Sequence, residues 1–121
     1  MAKRILIADD STFMRTILKK VLENAGYAIA GEAANGLQAV EKYSELHPDL
    51  VLLDVTMPEL DGIQALRRIV ASDPDANCVI CSAIGQRWMI VEAIEYGAKD
   101  FIIKPFQADR VLTAIGNVIG K

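Results

Sequence analysis

Short apolar runs alternate along the chain with longer segments in which apolar residues recur at helical spacing. The five runs are predicted to be strands, at residues 4–8, 27–31, 50–54, 78–82 and 101–103. Most of them are almost wholly apolar, which is typical of parallel strands that are covered on both faces. The second run, YAIAG, is weaker than the others and is better suited to the edge of a sheet.

A helix is predicted after each run. The first has an apolar stripe with the spacing of a helix face and ends at Gly26, where glycine suits the C′ position. The second begins at Asn35, with Gln38 placed as in a capping box, and runs to about Leu46. The others are predicted at about 61–71, at about 86–96 and through Val111 to Ile119. This alternation predicts a doubly wound α/β fold, with helices on both faces of a parallel sheet.

Composition narrows the class of protein. With 121 residues, of which 52% are hydrophobic, the chain can bury one core, so we expect a single domain over residues 1–121. A net charge of −3 gives no electrostatic reason to expect nucleic-acid binding. No apolar run approaches the ~20 residues of a membrane span. We therefore expect a cytoplasmic protein that does not insert into membranes.

The two cysteines form a CxxC pattern inside one predicted strand. Cys78 and Cys81 are three residues apart, so in a strand their side chains point to opposite faces. They cannot then share a metal ion or form an unstrained disulfide. We interpret both as small buried hydrophobic residues in a reducing compartment.

Polar side chains follow four of the predicted strands. Asp9 and Asp10 follow the first strand, Asp54 ends the third, Ser82 ends the fourth, and Lys104 follows the fifth. In an open α/β sheet, ligands bind beyond the carboxyl ends of the strands, where the strand order reverses. The pattern therefore predicts that three carboxylates, a hydroxyl and an ammonium group meet at one edge of the sheet.

This set of groups suits attack on phosphorus. Three carboxylates this close repel one another, and at least one pKa rises unless a cation lies among them. An oxygen-preferring ion such as Mg²⁺, or Mn²⁺ in its place, fits such a site. With a lysine and a metal ion to hold the equatorial oxygens of a phosphoryl group, a carboxylate can attack in line.

The motifs at these strand ends resemble those of two-component response-regulator receiver domains, and among them the CheY-like chemotaxis regulators. The motifs are IADDS, LLDVTMPELDG, ICSAIGQ and GAKDFIIKPF, in this order and over essentially the whole chain. The resemblance implies a flavodoxin-like fold with the strand order 2-1-3-4-5, which is the order known for CheY and is taken from the resemblance alone.

The resemblance also implies roles for individual residues. Asp54 would be the phosphorylated residue, with Ser82 and Lys104 contacting the oxygens of the phosphoryl group. The divalent metal would be held by Asp10, by Asp54, by Asp9 through water and by the backbone carbonyl of Thr56. The Lys104–Pro105 bond would be cis, as proline permits.

A switch follows from these roles. Phosphorylation adds about −1.5 to −2 of charge and would draw Ser82 inward, leaving space that the ring of Phe101 can fill. The face formed by the fourth helix, fifth strand and fifth helix would then change shape. The expected protein is not an enzyme acting on others. It catalyses only its own phosphorylation and its own slow dephosphorylation.

The resemblance predicts a CheA-like histidine kinase as phosphodonor and a flagellar motor switch protein or another output protein as target. A phosphatase partner is possible within the family, and we expect a monomer. Two alternatives stay open. The chain can be a phosphorelay intermediate that passes its phosphoryl group to a histidine phosphotransfer protein, or a receiver trimmed from a longer regulator.

Other functions explain the residues less well. A nucleotide- or flavin-binding domain shares this fold but needs a glycine- or hydroxyl-rich phosphate cradle after the first strand, where this chain has ADDST. A phosphatase with Asp9 as nucleophile leaves Asp54 unexplained. His47, the only histidine, precedes Pro48 and is interpreted as a surface residue. Trp88 is either a partner anchor or packed against the neighbouring loop.

Two positions depart from the chemotaxis pattern. Phe101 stands where many members have tyrosine, so the steric switch is kept and a hydroxyl contact is lost. Ile84 lies two positions beyond Ser82, as Thr56 does beyond Asp54, and both flank the path of an attacking water. Because isoleucine cannot hydrogen-bond that water, we predict a longer-lived phosphoryl group than in members with polar residues at both positions.

Overall fold

Strands and helices alternate five times in the computed structural model, which describes residues 2–120 of the chain. They are β1 Arg4–Ala8, α1 Thr12–Asn24, β2 Ala28–Ala33, α2 Gly36–Leu46, β3 Leu50–Asp54, α3 Gly62–Ser72, β4 Cys78–Ala83, α4 Arg87–Glu95, β5 Asp100–Lys104 and α5 Ala108–Ile119. The predicted (βα)₅ order is confirmed. No helix within residues 2–120 combines the length and apolar character needed to cross a bilayer.

The five strands form one parallel sheet in the order β2-β1-β3-β4-β5. This confirms the flavodoxin-like strand order 2-1-3-4-5. β2 lies at one edge, as its weaker apolar run indicated, and β5 lies at the other. β3 is buried at all five positions, which explains why its sequence, LVLLD, is apolar up to its final aspartate.

The boundaries of three strands differ from the predicted ones. β4 continues one residue beyond the predicted end at Ser82, to Ala83. β2 begins one residue after the predicted start at 27 and continues to Ala33, because its pairing with β1 extends to Ala8 opposite Ala33. A register shift between Ile5 and Leu6 accompanies this pairing. β5 includes Lys104, which pairs with Ala83 of β4. Pairing with the neighbouring strand therefore sets these ends, and the apolar pattern alone does not show them.

Two hydrophobic clusters cover the two faces of the sheet. One packs α2, α3 and α4 against side chains such as Leu6 and Val51, and the other packs α1 and α5 against side chains such as Ile5 and Leu52. Cys78 belongs to the first cluster and Cys81 to the second, so their side chains lie on opposite faces as predicted. Both are free and buried, and burial raises the pKa of each thiol to about 12.

Side-chain caps fix the helices that begin near the predicted site. The Ser11 hydroxyl accepts a hydrogen bond from the N–H of Met14 at the start of α1. Asp61 and Gln64 form a complete capping box at the start of α3. These caps hold the turns after β1 and β3, which carry the predicted acidic residues.

Candidate functional site

The predicted site lies where the direction of winding reverses. Within the sheet, β2 lies next to β1 on one side, and β3, the next strand along the chain, lies next to β1 on the other side. The carboxyl ends of β1 and β3 are therefore neighbours at the switch point of the sheet. Asp54 is the last residue of β3, and Asp9 and Asp10 follow β1 directly.

The three carboxylates meet at this point, as predicted. One oxygen from each of Asp9, Asp10 and Asp54 lies within 4.8 Å of the others. Asp9 and Asp54 are buried, with 2% and 7% of their surface exposed, whereas Asp10 is exposed. The site is thus a small acidic cleft that opens to solvent on the Asp10 side.

Lys104 brings a positive charge into this cleft from the end of β5. Its Nζ lies 2.9 Å from Asp9 Oδ2 and 3.3 Å from Asp54 Oδ2. Burial alone lowers the pKa of Lys104, but the hydrogen bond to Asp9 and the charges of Asp54 and Asp9 outweigh it and raise the pKa above its usual value. The group is therefore an ammonium ion at neutral pH. The Lys104–Pro105 peptide bond is cis, as the resemblance implied.

The Asp54 carboxylate is held at both oxygens. Oδ1 accepts a hydrogen bond of 3.2 Å from the N–H of Thr56, and Oδ2 faces the ammonium group of Lys104. Burial raises the pKa of Asp54, the charge of Lys104 opposes this rise, and the charge of Asp9 adds to it. The pKa of Asp54 is therefore raised overall. Its surroundings do not fully offset the cost of burying the ionised carboxylate.

Ser82 lies on β4, the strand that pairs with β3 and its final residue Asp54, and the hydroxyl of Ser82 is buried. Ser82 follows Cys81, which is the register partner of Asp54 in β4, and only 1% of its surface is exposed. In the described part of the chain, its Oγ is the one buried side-chain polar atom without a hydrogen-bond partner. Leaving such a group unpaired costs roughly 1–3 kcal/mol, so an oxygen of a bound anion would find an available donor here.

The residues present fit a hard divalent cation. Three aspartate oxygens within reach of one another are the ligand type that Mg²⁺ and Mn²⁺ prefer. Thr56 is exposed, and its N–H is engaged by Asp54. The predicted ligation by the backbone carbonyl of Thr56 stays a prediction from the resemblance.

Three residues near the site were missed by the sequence reasoning. Arg15 donates from Nη1 to the carbonyl oxygen of Asp9 at 2.6 Å. Gln86 accepts from the N–H of Ala83 at 2.7 Å and donates to the Thr56 hydroxyl at 3.3 Å.

Gly62 is the third missed residue. Its N–H donates to the carbonyl of Val55, and an added Cβ would overlap the carbonyl oxygen of Asp54. For Gly62, the sequence contains a usable clue: a glycine directly after a helix-capping aspartate, close behind an acidic strand end. For Arg15 and Gln86, the spacing along the chain gives no comparable indication.

A groove borders the loop that follows Ser82. It encloses about 450 Å³ between that loop, α4 and β5, and its lining includes Ile84, Val91 and Phe101. Phe101 is half-buried, and the guanidinium of Arg110 lies 5.7 Å from the centre of its ring. The role of Phe101 as a moving part of a switch stays a prediction.

Two surface residues were singled out from the sequence. Trp88 is 63% exposed on α4, so most of its side chain is open to solvent, and its role as a partner anchor stays a prediction. His47 is exposed, as predicted, and it ends α2 in a left-handed conformation with φ 47°.

Comparison with known proteins identifies the family to which the chain belongs. The family model of the response regulator receiver domain matches residues 5–116. The chain belongs to this family.

The chain is similar to individual chemotaxis regulators within the family. It is 56% identical to the chemotaxis protein CheY of Thermotoga maritima over 118 residues, which cover 98% of each chain. It is also 56% identical to CheY of Bacillus subtilis over 119 residues, covering 98% of this chain and 99% of the relative.

A solved structure supports the same relationship. The chain superposes with a TM-score of 0.93 and 36% identity on a chain of the CheX–CheY–BeF₃–Mg²⁺ complex from Borrelia burgdorferi. The match covers 98% of this chain and 90% of that one. The chain is therefore a receiver domain closely related to CheY chemotaxis regulators.

Proposed function

We propose that this protein is a phosphorylation switch in which Asp54 accepts a phosphoryl group from a histidine kinase in a Mg²⁺-dependent reaction. The observation that carries the proposal is the environment of Asp54. Its carboxylate lies 3.3 Å from the ammonium of Lys104, and the neighbouring strand β4 carries a buried Ser82 hydroxyl that has no partner within residues 2–120. Together these groups provide a nucleophile, a cation and a free donor.

Each residue has a distinct part in the transfer. A carboxylate oxygen of Asp54 attacks the phosphorus of a phosphohistidine or a small acyl phosphate, and the bond from phosphorus to the donor breaks. Lys104 and the hydroxyl of Ser82 contact the phosphoryl oxygens as charge builds on them. When bound, a divalent cation held by Asp9, Asp10, Asp54 and the Thr56 carbonyl supplies neutralisation of the phosphoryl charge. The B. burgdorferi relative was solved with Mg²⁺ and BeF₃, which supports the choice of metal.

The surface that binds a target protein after phosphorylation is proposed to be the face formed by α4, β5 and α5. Ser82 lies in β4 one residue before Ala83, and the chain continues from there into the wall of the apolar groove, whose lining includes Ala83, Ile84 and Phe101. A movement of Ser82 toward a phosphoryl group therefore reshapes this groove. Trp88 and Val91 are 63% and 55% exposed on α4, so an apolar surface for a partner is available there.

Chemotaxis output is favoured over phosphorelay by the relatives. Two proteins that are 56% identical over nearly the whole chain are chemotaxis regulators. We therefore infer a CheA-like kinase as donor and a flagellar motor switch protein as target, with a phosphatase as a possible third partner. Binding of a motor-switch peptide that rises on phosphorylation supports motor output. Transfer of the labelled phosphoryl group to a histidine phosphotransfer protein supports the relay.

The first test is the intact mass of the protein after incubation with Mg²⁺ and acetyl phosphate. We expect the wild type to gain one phosphoryl group and Asp54→Asn to gain none. Asp75→Asn is a matched control, because Asp75 is exposed and lies outside the site. A chelator should prevent the gain. If no mass is added to the wild type under any condition, Asp54 is not a phosphoacceptor.

A further inference from the structure

Arg15 connects three segments around the acidic site. It lies in α1, and its side chain is 15% exposed. Its Nη1 donates to the carbonyl oxygen of Asp9 at 2.6 Å, its Nε to Glu32 Oε1 of β2 at 3.0 Å, and its Nη2 to the Thr12 hydroxyl at 3.2 Å. All three kinds of guanidinium donor are thus used, each on a different acceptor.

The bond to the Asp9 carbonyl bears directly on Asp10. The Asp9 carboxylate is itself fixed, because Oδ2 faces Lys104 and Oδ1 accepts from the N–H of Ser11 at 2.9 Å. By contrast, the carboxylate of Asp10 is exposed and makes no hydrogen bond to the residues that the structure describes. The orientation of Asp10 therefore depends on its backbone. The Asp9 carbonyl belongs to the planar peptide that joins Asp9 to Asp10, so Arg15 fixes the plane of that peptide.

We propose that Arg15, held in place by Glu32, is a positioning residue for the divalent-metal site, because it fixes the backbone from which Asp10 extends. This inference rests on the proposed function, which places a metal among the three aspartates. Partners that orient metal ligands commonly contribute tenfold or more to affinity.

Glu32 has a second part in this arrangement. A cation near a helix N-terminus is unfavourable, and a cation near a metal site repels the metal. Glu32 offsets the charge of Arg15 through their 3.0 Å ion pair. Burial alone raises the pKa of Glu32, but its hydrogen bonds to Lys19 and Arg15 outweigh this and lower the pKa, so Glu32 stays ionised at neutral pH.

Two effects of Arg15, its positive charge and its positioning of Asp10, predict opposite changes in Mg²⁺ affinity when Arg15 is replaced by alanine. If only charge mattered, Arg15→Ala would bind Mg²⁺ more tightly, because a nearby positive charge has been removed. If Arg15 positions Asp10, the same variant binds Mg²⁺ more weakly despite the lost repulsion. The sign of the change in affinity therefore decides between the two.

The experiment is titration calorimetry of Mg²⁺ into the full chain. We expect Arg15→Ala to bind about tenfold more weakly than the wild type. Arg15→Lys should also bind several-fold more weakly, because an ammonium group keeps the charge but cannot reproduce the planar set of three bonds. Lys19→Ala is the matched control, since Lys19 pairs with the same Glu32 at 3.1 Å but has neither a hydrogen bond nor an ion pair to Asp9. Its affinity should stay within about twofold of the wild type.

Thermal unfolding in EDTA, followed for every variant, separates metal affinity from folding. If Arg15→Ala folds and binds Mg²⁺ as tightly as the wild type or more tightly, the inference is overturned. If Arg15→Ala does not fold, unchanged or tighter Mg²⁺ binding by Arg15→Lys overturns it. A wild type that binds Mg²⁺ alongside unaffected Arg15 variants overturns only the role of Arg15. A wild type that binds no Mg²⁺ overturns the proposed metal site itself and the inference with it.

Discussion

The ammonium group of Lys104 lies 2.9 Å from the carboxylate of Asp9. Asp9 follows β1 and Lys104 ends β5, and the strands β3 and β4 lie between them in the sheet. The same group lies 3.3 Å from Asp54. Lys104 is therefore the internal counter-charge for two buried carboxylates. A parallel sheet makes this possible, because all of its strands deliver their carboxyl ends to one edge.

Replacing Lys104 with methionine should destabilise the protein in the absence of metal. The change leaves Asp9 and Asp54, which are 2% and 7% exposed, without their shared cation. We expect a loss of roughly 3 kcal/mol in the free energy of unfolding, since removal of one partner of a buried ion pair costs about that much. Urea unfolding in EDTA measures it. Lys99→Met is the control, because Lys99 is exposed, and equal stability of the two variants would contradict the assignment.

Removing the charge of Asp54 should have the opposite effect on stability. Burial raises the pKa of Asp54, so its ionised form is less favourable in the folded protein than in the unfolded chain. In EDTA at pH 7, Asp54→Asn should therefore be more stable than the wild type by about 0.5–2 kcal/mol, the range common for single stabilising substitutions. Denaturant unfolding gives the difference directly.

The pH dependence follows from the same raised pKa. The folded state binds the proton of Asp54 more tightly than the unfolded state, so the penalty of ionisation is present above the raised pKa. It disappears as the pH falls through that pKa, and the stability difference between wild type and Asp54→Asn should shrink accordingly. Mg²⁺ should stabilise the wild type more than the variant at neutral pH. A difference that is constant with pH would show that the charge of Asp54 is not its cause.

Much of the fold and site could be predicted from the sequence, because both depend on strand ends. The apolar runs mark the strands, and in a parallel sheet the strand ends that carry Asp9, Asp54, Ser82 and Lys104 all lie at one edge. The strand order came from the resemblance. Pattern alone is compatible with other orders for five strands, since every strand except the second is comparably apolar.

The contacts around the site could not be predicted in this way. Arg15 reaches back from α1 to the Asp9 carbonyl, and Gln86 links Ala83 to Thr56. These bonds depend on side-chain direction and on where each helix meets the sheet, which hydrophobic periodicity does not specify. The extension of β2 through Glu32 was missed for a related reason, because a charged residue interrupts the apolar run that the prediction uses.

Two glycines provide a matched test of close packing at the site. An added Cβ at Gly62 would overlap the backbone of Asp54, whereas a Cβ at Gly116 in α5 meets no atom within 4 Å. Gly62→Ala should therefore destabilise the protein by several kcal/mol and impair phosphorylation, because β3 and α3 must separate. Gly116→Ala should stabilise it by about 0.5–1 kcal/mol, as alanine favours a helix interior. Thermal unfolding of both variants checks this, and a well-tolerated Gly62→Ala would contradict the packing described for α3.

The lifetime of the phosphoryl group should depend on Ile84. This residue is 76% exposed on the loop that follows β4, and Thr56, which follows β3, is exposed too. Isoleucine offers an attacking water no hydrogen bond, so Ile84→Glu should speed hydrolysis of the phosphorylated Asp54. One hydrogen bond of about 1.4 kcal/mol in the transition state corresponds to a roughly tenfold faster rate.

Decay of the phosphorylated mass after removal of acetyl phosphate measures this lifetime. Ile84→Leu is the matched control, since it keeps an apolar side chain of the same size, and its decay should match that of the wild type. Equal decay rates for Ile84→Glu and Ile84→Leu would show that access of water is set elsewhere. The next candidate is then the hydrogen bond of 3.3 Å from Gln86 to the Thr56 hydroxyl.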